Sequence, residues 1–327
     1  MRFSLATLAS RTGRRFAAIL ALLLLLSGCT ADAGAPTQPA EGLLILTGGD
    51  PASLVVLAAK KGADRPIAIG LPLAAQDTAS ISAGAGGVLV GSTAGGDLAT
   101  SDAVDPQGSA VDIAGLEWRP IEAKGEAGES IPTPARLATW DPTGRRFAAL
   151  AGDLGGRGDV TLVLVVPGDA KMSTIALKRG LLAVPPAWLD ANRLALVAGT
   201  AAAPVAIVVD TTTGKVTKAP AGDQRLATSA DGSVIATSAG PGSPIVLRSS
   251  KGWLADDGTS VGSVEVPNGF TEATSIALDA KGGRLAIVWI GPDGTPRYDV
   301  HDGRDGWRRV LSQPLDGTSA ATVAWLR

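Results

Sequence analysis

One segment recurs along this chain, and the recurrence leaves few architectures open. Ala135–Gly168, ARLATWDPTGRRFAALAGDLGGRGDVTLVLVVPG, reads as a short strand, a tight turn on Asp141-Pro142-Thr143-Gly144, and an apolar strand Arg146–Ala151. A Gly-rich loop and a third strand, Val160–Val166, follow. Pro142 pre-sets φ at the second turn position, and Gly144 supplies a backbone that tolerates positive φ. The β-branched and aliphatic run from Thr161 to Val166 suits a strand buried on both faces. Together these make most of a four-stranded antiparallel unit, which cannot bury both its faces alone.

The chain repeats it. Ala227–Ala236 copies the first half, with Gly232 in the place of Gly144 and Ile235 in that of Phe147. Ile276–Val288 copies it again with Gly282, Pro186–Val197 carries the pattern with a shorter turn, and Ile81–Val90 is a weaker copy. Taking the first turn residue as marker gives Ser82, Asp141, Asp190, Ser229 and Asp279. The chain ends on Val323-Ala-Trp-Leu-Arg327, which looks like Pro186-Ala-Trp-Leu-Asp190 cut off before its turn. From Ser82 to Arg327 the chain advances 245 residues in five intervals, a mean of 49. Several short strands at such a period are the mark of a β-propeller. Thr322–Arg327 offers only an innermost strand, while Gly42–Gly49 and Ser53–Leu57 resemble second and third strands. The expectation is therefore an all-β, six-bladed propeller of four-stranded antiparallel blades, its ring closed by N- and C-terminal strands sharing one blade. Closure removes exposed sheet edges.

Before the repeats lies an export signal. Arg2, Arg11, Arg14 and Arg15 form a basic region without an acid, and Phe16–Leu26 is an apolar core of 11 residues. A bilayer span needs about 20. Leu26-Ser27-Gly28-Cys29 follows and resembles the bacterial lipobox, whose cysteine is acylated and becomes the new N-terminus. Cys29 is the only cysteine, so no internal disulfide can account for it. Thr30–Glu41 is small, polar and Pro-containing, as a flexible tether would be. The expected organisation is signal peptide 1–28, tether 29–41 and propeller 42–327. The expected location is the extracytoplasmic face of a bacterial cell membrane, anchored by lipid on Cys29. The general secretory and twin-arginine export routes both remain open.

Charge narrows the partners. Without the signal's four arginines, 25 basic side chains face 31 acidic ones, a balance of −6. That argues against nucleic acid or anionic headgroups as the main partner. The region around Gln76–Glu122 is the least regular; Trp118-Arg-Pro-Ile121 is read as an outer strand, and Glu122–Ser130 as a surface loop into the next blade.

The turn elements Asp141-Pro-Thr-Gly-Arg-Arg-Phe-Ala, Ser229-Ala-Asp-Gly-Ser-Val-Ile-Ala and Asp279-Ala-Lys-Gly-Gly-Arg-Leu-Ala are similar to the Ser-Pro-Asp-Gly-x-x-(aliphatic)-Ala element of TolB-like propeller repeats. The likeness covers Gly42–Arg327 at the level of the repeat consensus. With the lipobox, the chain also resembles the propeller part of LpqB-type envelope lipoproteins, without room for their additional domains. The Trp-Asp pair of WD repeats is not matched, because Trp140-Asp141 lies at the first turn. Such motifs specify a fold, not a function.

Catalytic and metal residues are sparse. His301 is the only histidine, so a His-based metal centre is excluded, and its place after Arg297-Tyr-Asp-Val300 suits a strand better than a general base. Asp299, Asp302 and Asp305, with Asp256-Asp257-Gly258, raise calcium, but neither set matches a calcium loop. No cofactor is implied. Trp188 and Trp325 occupy equivalent repeat positions that suit inter-blade packing, and Arg145-Arg146 and Arg304…Arg309 read as solvated turns. Polar residues at one rim are better candidates for recognition. By the topology the TolB-like resemblance implies, that rim carries Asp153, Arg157, Asp159, Asp223, Arg225, Glu272 and Asp293. The reading favoured is a monomeric binding or scaffold module for another envelope protein or glycan. The alternative is an extracytoplasmic hydrolase or lyase using funnel carboxylates.

Overall fold

The computed structural model of the chain describes residues 42–325 apart from 48–52, 58–66, 71–78, 85–86, 93–98, 101–123, 126–134, 153, 155–157, 167–170, 220–221 and 316–320. The signal, the tether, Cys29 and the outer strand expected at Trp118 lie outside the described residues. Among the described residues, no helix is long and apolar enough to cross a membrane.

The strands run as antiparallel meanders. β1 (Leu43–Thr47), β2 (Ser53–Leu57) and β3 (Ile67–Gly70) pair in order, as do β4 (Ala79–Gly84), β5 (Gly87–Ser92) and β6 (Ala99–Thr100). After the two-residue β7 (Lys124–Gly125) come β8 (Ala135–Trp140), β9 (Phe147–Gly152), β10 (Val160–Val166) and β11 (Lys171–Ala176). The next sheet is β12 (Ala187–Trp188), β13 (Arg193–Thr200), β14 (Ala203–Asp210) and β15 (Val216–Lys218). β16 (Arg225–Thr228), β17 (Val234–Ser238), β18 (Ile245–Ser249) and β19 (Gly262–Val264) follow, with helix α1 (Ser250–Ala255) between the last two. Then come β20 (Glu272–Leu278), β21 (Arg284–Ile290), β22 (Pro296–Asp302) and β23 (Arg308–Pro314). The last strand, β24 (Ala321–Trp325), returns to pair antiparallel with β1, from Leu43 opposite Trp325 to Thr47 opposite Ala321. The two ends of the domain thus build one sheet.

The described strands lie in six sheets. Five contain four antiparallel strands, and the β4–β6 sheet has three among the described residues. Their innermost strands neighbour one another in a closed cycle: β24, β4, β8, β12, β16, β20 and back to β24. This is a β-propeller. Two expectations need correction. Ser82 is not a turn residue; it pairs with Leu89 inside β4, and two more strand residues, Ala83 and Gly84, follow it before the turn. Lys124–Gly125 is not wholly loop either: it pairs in parallel with Lys171–Met172 and covers the outer edge of the β8–β11 sheet.

The repeated turn works as its residues require. In each full copy the first turn residue receives the amide of the glycine three places on: Gly144 to Asp141, Gly232 to Ser229 and Gly282 to Asp279, at 2.9–3.1 Å. All three glycines have positive φ, between 65° and 71°. At Gly232 the requirement also comes from a neighbouring sheet. A Cβ there would stand 2.5 Å from the carbonyl oxygen of Leu189 in the preceding sheet. The shorter turn at Asp190 closes instead on its carboxylate, which accepts the amides of Asn192 and Arg193 at 2.8 and 2.9 Å.

The core lies between sheets. β10 faces both ways, as its run of aliphatics anticipates. Leu162 and Leu164 pack with Leu194, Leu196 and Ile207 of the next sheet, and Val163 and Val165 pack with Trp140 and Phe147 on the other face. A polar rivet repeats beside this apolar layer. Arg146 pairs with Asp141 (3.3 Å) and lays its guanidinium over the Trp188 ring of the next sheet, 5.1 Å from its centroid. Arg284 pairs with Asp279 (3.2 Å) and covers Trp325 at 4.5 Å. Each indole N–H then donates to an innermost-strand carbonyl of the preceding sheet, Trp188 to Thr139 (3.2 Å) and Trp325 to Ala277 (3.1 Å). Arg146 is therefore not a solvated turn residue; it also donates to the Ala191 carbonyl. The tryptophans are inter-sheet packing, because the ring fills the interface while its N–H finds a partner.

Trp325→Ala should destabilise the domain by about 3–5 kcal/mol, the usual cost of emptying a buried aromatic site. Gly232→Ala should cost about 1–2 kcal/mol from the left-handed backbone, before the contact with Leu189 is counted. Thermal unfolding should show both variants below the parent, with Trp325→Ala the lower.

Candidate functional site

The innermost strands enclose an axial channel with a cavity volume of about 150 Å³. All six sheets contribute to its wall, which is largely small and apolar: Val184, Pro185 and Pro186 ahead of β12, Ile276 on β20, Val323 on β24. Two of the lining strands are bulged. β8 slips register between Arg136 and Thr139, placing Leu137 at φ 54°, a costly conformation for a bulky residue. β20 slips between Ala273 and Ser275. Bulges re-aim side chains.

Polar groups in the wall are few. Ser82 Oγ accepts the Trp140 amide at 3.1 Å, and Ser275 Oγ accepts the Val323 amide at 3.1 Å. Thr139 Oγ1 donates to the Pro186 carbonyl at 3.0 Å. These bonds cross between neighbouring sheets. One formal charge enters the lining among the described residues, that of Arg225 at the start of β16. Its Nε is buried without a hydrogen-bond partner, and Nη1 reaches only the Gln224 carbonyl at a long 3.5 Å. Arg146, Arg193, Arg284, Arg297, Arg304 and Arg309 each have a carboxylate within 4 Å; Arg225, like Arg248, has none among the described residues.

The other rim candidates separate. Asp153 and Arg157 lie outside the described residues. Asp159 is exposed ahead of β10, and Glu272 is half-buried at the start of β20. Asp293 is exposed and accepts the Thr295 amide at 3.0 Å, a backbone bond that holds its carboxyl below the usual range. Asp223 is buried, and its Oδ2 accepts the Trp253 indole N–H at 3.1 Å. Burial pushes that carboxyl up, against opposing hydrogen bonds from Trp253 and Thr237 and the charge of Arg248. Of the five that are described, only Arg225 lines the channel. Ser82 and Ser275, which also line it, were missed as site residues because a lone serine in an apolar strand carries no signal.

The carboxylates weighed for calcium are engaged elsewhere. Asp299 is fully buried (0 % exposed) between Arg297 at 2.9 Å and Arg309 at 3.4 Å. Asp302 caps the short 3-10 turn Gly303–Asp305 and pairs with Arg304 at 2.7 Å. Asp256 terminates α1 and Asp257 accepts the Thr259 amide. Among the described residues no cluster of three His, Cys, Asp or Glu side chains could hold a metal. His301 is buried, its Nδ1 bonded to the Trp307 carbonyl at 2.9 Å, and burial lowers its pKa. The described wall of the channel holds no carboxylate, so the funnel carboxylates of a hydrolase are not found there.

Comparison with known proteins places the fold. No family model matches the chain, and no curated protein matches it in sequence. Among solved structures it is similar to TolB from Acinetobacter baumannii, with 15% identity, a TM-score of 0.60, and coverage of 98% of this chain and 74% of that one. A putative TolB from Agrobacterium tumefaciens aligns at 14% identity and a TM-score of 0.48, over 77% of this chain and 90% of that one. A hypothetical selenium-binding protein from Sulfolobus tokodaii aligns at 9% identity and a TM-score of 0.52, over 88% and 81%. The chain is a TolB-like β-propeller in fold. At these identities the likeness carries architecture and nothing further.

The buried Asp223 makes a pH prediction. A carboxyl whose pKa is raised by folding is held protonated more tightly in the folded chain than in the unfolded one. Its stabilising contribution is complete at low pH and is lost as pH rises above the ordinary Asp range, near 3.8, to the raised value. Asn accepts the same Trp253 bond without a charge. Asp223→Asn should therefore melt above the parent at pH 7, and the gap should close as pH falls towards 4.

Proposed function

We propose that this protein is a binding propeller, held at the extracytoplasmic face of a bacterial membrane by lipid on Cys29. It engages another envelope protein or a glycan through the channel mouth and the loops around it. The observation that carries the reading is Arg225, a cation lining an axial channel with no carboxylate partner among the described residues. A guanidinium with no counter-charge is suited to take an acceptor in a charge-assisted hydrogen bond. Membrane placement rests on the basic region, the 11-residue apolar core and the lipobox. Two acyl chains anchor stably where one binds only marginally. The tether gives the propeller reach from the lipid.

A monomer is in keeping with the sheet edges. The inner sheet edges line the narrow channel, and the outer strands β15 and β19 have three residues each. The longer β23 exposes Arg308 and Arg309, charges that discourage edge-to-edge pairing.

In intact producing cells, a photocrosslinking residue at Thr228 should capture a discrete partner. Arg225→Ala should cut that yield by about tenfold, the equivalent of one charged hydrogen bond, with abundance and membrane fraction unchanged. Cys29→Ser should move the protein to the soluble fraction and stop incorporation of labelled palmitate. Undiminished capture by Arg225→Ala would remove the channel from the binding site, and a membrane-bound Cys29→Ser protein would remove the anchor.

A further inference from the structure

We infer that Asn268 is a site of spontaneous covalent modification. The amide nitrogen of Gly269 attacks the Asn268 side chain, and the residue is converted to isoaspartate and aspartate. The reaction needs no partner but water and does not rest on the binding reading above.

The chain has two asparagines, Asn192 and Asn268, and both are exposed. What separates them is the peptide group that follows each. The Asn192 carbonyl accepts the Thr211 amide at 2.7 Å and the Thr211 hydroxyl at 3.0 Å. The Arg193 amide, the nitrogen that would have to attack, donates to Asp190 Oδ1 at 2.9 Å. That peptide group is pinned at both ends.

Asn268 sits in the turn Pro267–Phe270, closed by the Phe270 amide on the Pro267 carbonyl at 3.1 Å. Gly269 has φ 82°, the mark of a type II turn with glycine in its third position. Among the described residues, neither the Asn268 carbonyl nor the Gly269 amide makes a hydrogen bond. In this turn type the Gly269 nitrogen lies away from the Asn268 side chain. It comes within reach by rotation of that peptide group about the Asn268 Cα–C bond. The same rotation relates type II to type I turns, and it leaves the closing bond in place. Glycine offers no steric resistance to it: a Cβ at Gly269 would meet nothing within 4 Å.

The bonds balance as follows. The Gly269 nitrogen gives its proton to solvent and forms a C–N bond to Asn268 Cγ. The C–NH2 bond breaks, and the amine takes up a proton and leaves as ammonia. Water then opens the cyclic imide. Attack at the former backbone carbonyl leaves isoaspartate, and attack at Cγ leaves aspartate. One water enters, one ammonia departs, and nothing is oxidised or reduced. The Asp–Gly pairs are poorer sites, because an ionised carboxylate is a weaker electrophile than a neutral amide. Asp231 and Asp293 are also held by the Ser233 and Thr295 amides, each at 3.0 Å.

Either product adds a negative charge to the loop that leads from β19 into the innermost strand β20, just ahead of Glu272. Isoaspartate also lengthens the turn by one backbone carbon. Phe270, the next residue but one, lies under the Arg297 guanidinium at 4.0 Å, and Arg297 holds Asp299 at 2.9 Å. The modification therefore acts on an ordered part of the fold.

The full-length protein in detergent micelles is incubated in oxygen-18 water, in mildly acidic and mildly alkaline buffer. The peptides bearing Asn268 and Asn192 are followed by mass spectrometry, with electron-transfer fragmentation to separate isoaspartyl from aspartyl. We expect one labelled oxygen at residue 268, faster in the alkaline buffer, with an acidic band on isoelectric focusing. Unfolding in guanidinium should speed conversion at Asn192 by about tenfold or more, because bonds that pin its peptide group are lost. At Asn268, where no such bond holds, it should speed conversion by less than about tenfold. Asn268→Gln should abolish the early acidic band. Absence of label at residue 268 in the folded chain, an equal gain on unfolding at both asparagines, or an undiminished band in Asn268→Gln would overturn the assignment. If that variant fails to fold, the position of the label in the parent protein decides the matter.

Discussion

The pairing of β24 with β1 is the contact on which the propeller depends. Each sheet buries its faces against its two neighbours, so an open array would leave two faces and two inner edges in water. Five residue pairs between the domain's ends, Leu43–Thr47 against Trp325–Ala321, remove that exposure. The contact is as non-local as this chain allows, and the entropy of bringing the ends together must be offset by what closure buries. Leu43, Ile45, Val323 and Trp325 supply it, packed in one cluster with Val288, Tyr298 and Val300.

Around the ring, specificity comes from a polar device that works at two scales. Asp141 and Asp279 first organise their own turns, then hold an arginine that reaches over the tryptophan of the next sheet. Aliphatic faces alone would tolerate sliding of one sheet over another. An indole N–H that must find a particular carbonyl does not. Asp299 with Arg297 and Arg309 is a deeper version between outer strands, and Arg297 also stacks on Phe270 at 4.0 Å. Arg225 and Arg248 stand outside these arrangements: each buries its Nε and has no carboxylate within 4 Å among the described residues.

Much of this was readable from residue types. Gly144, Gly232 and Gly282 were assigned permissive backbones from the turn pattern and have positive φ. Val160–Val166 was read with the observed bounds, and the closing strand was inferred from a truncated repeat. The failures share a cause. Ser82 was placed in a turn, two residues before its strand ends, because Gly84, Gly86 and Gly87 leave the position of the turn glycine ambiguous. Lys124–Gly125 was read as loop because parallel pairing to a distant edge leaves no local pattern. Asp223 and Arg225 looked equivalent at the rim, two residues apart. Their fates differ because one accepts the indole N–H of Trp253 on helix α1 and the other, on the innermost strand β16, lies in the channel lining.

The sequence by itself determined the propeller: turn chemistry and strand alternation act over a few residues, so a repeat of them dictates a repeat of sheets. It determined also that the last strand must borrow partners from the first. Which polar side chains meet across sheets, and which one is left in the channel lining without a counter-charge, only the tertiary structure decided. Those outcomes depend on the offset and bulging of neighbouring innermost strands, set by packing between segments about fifty residues apart in sequence, and no local pattern encodes them.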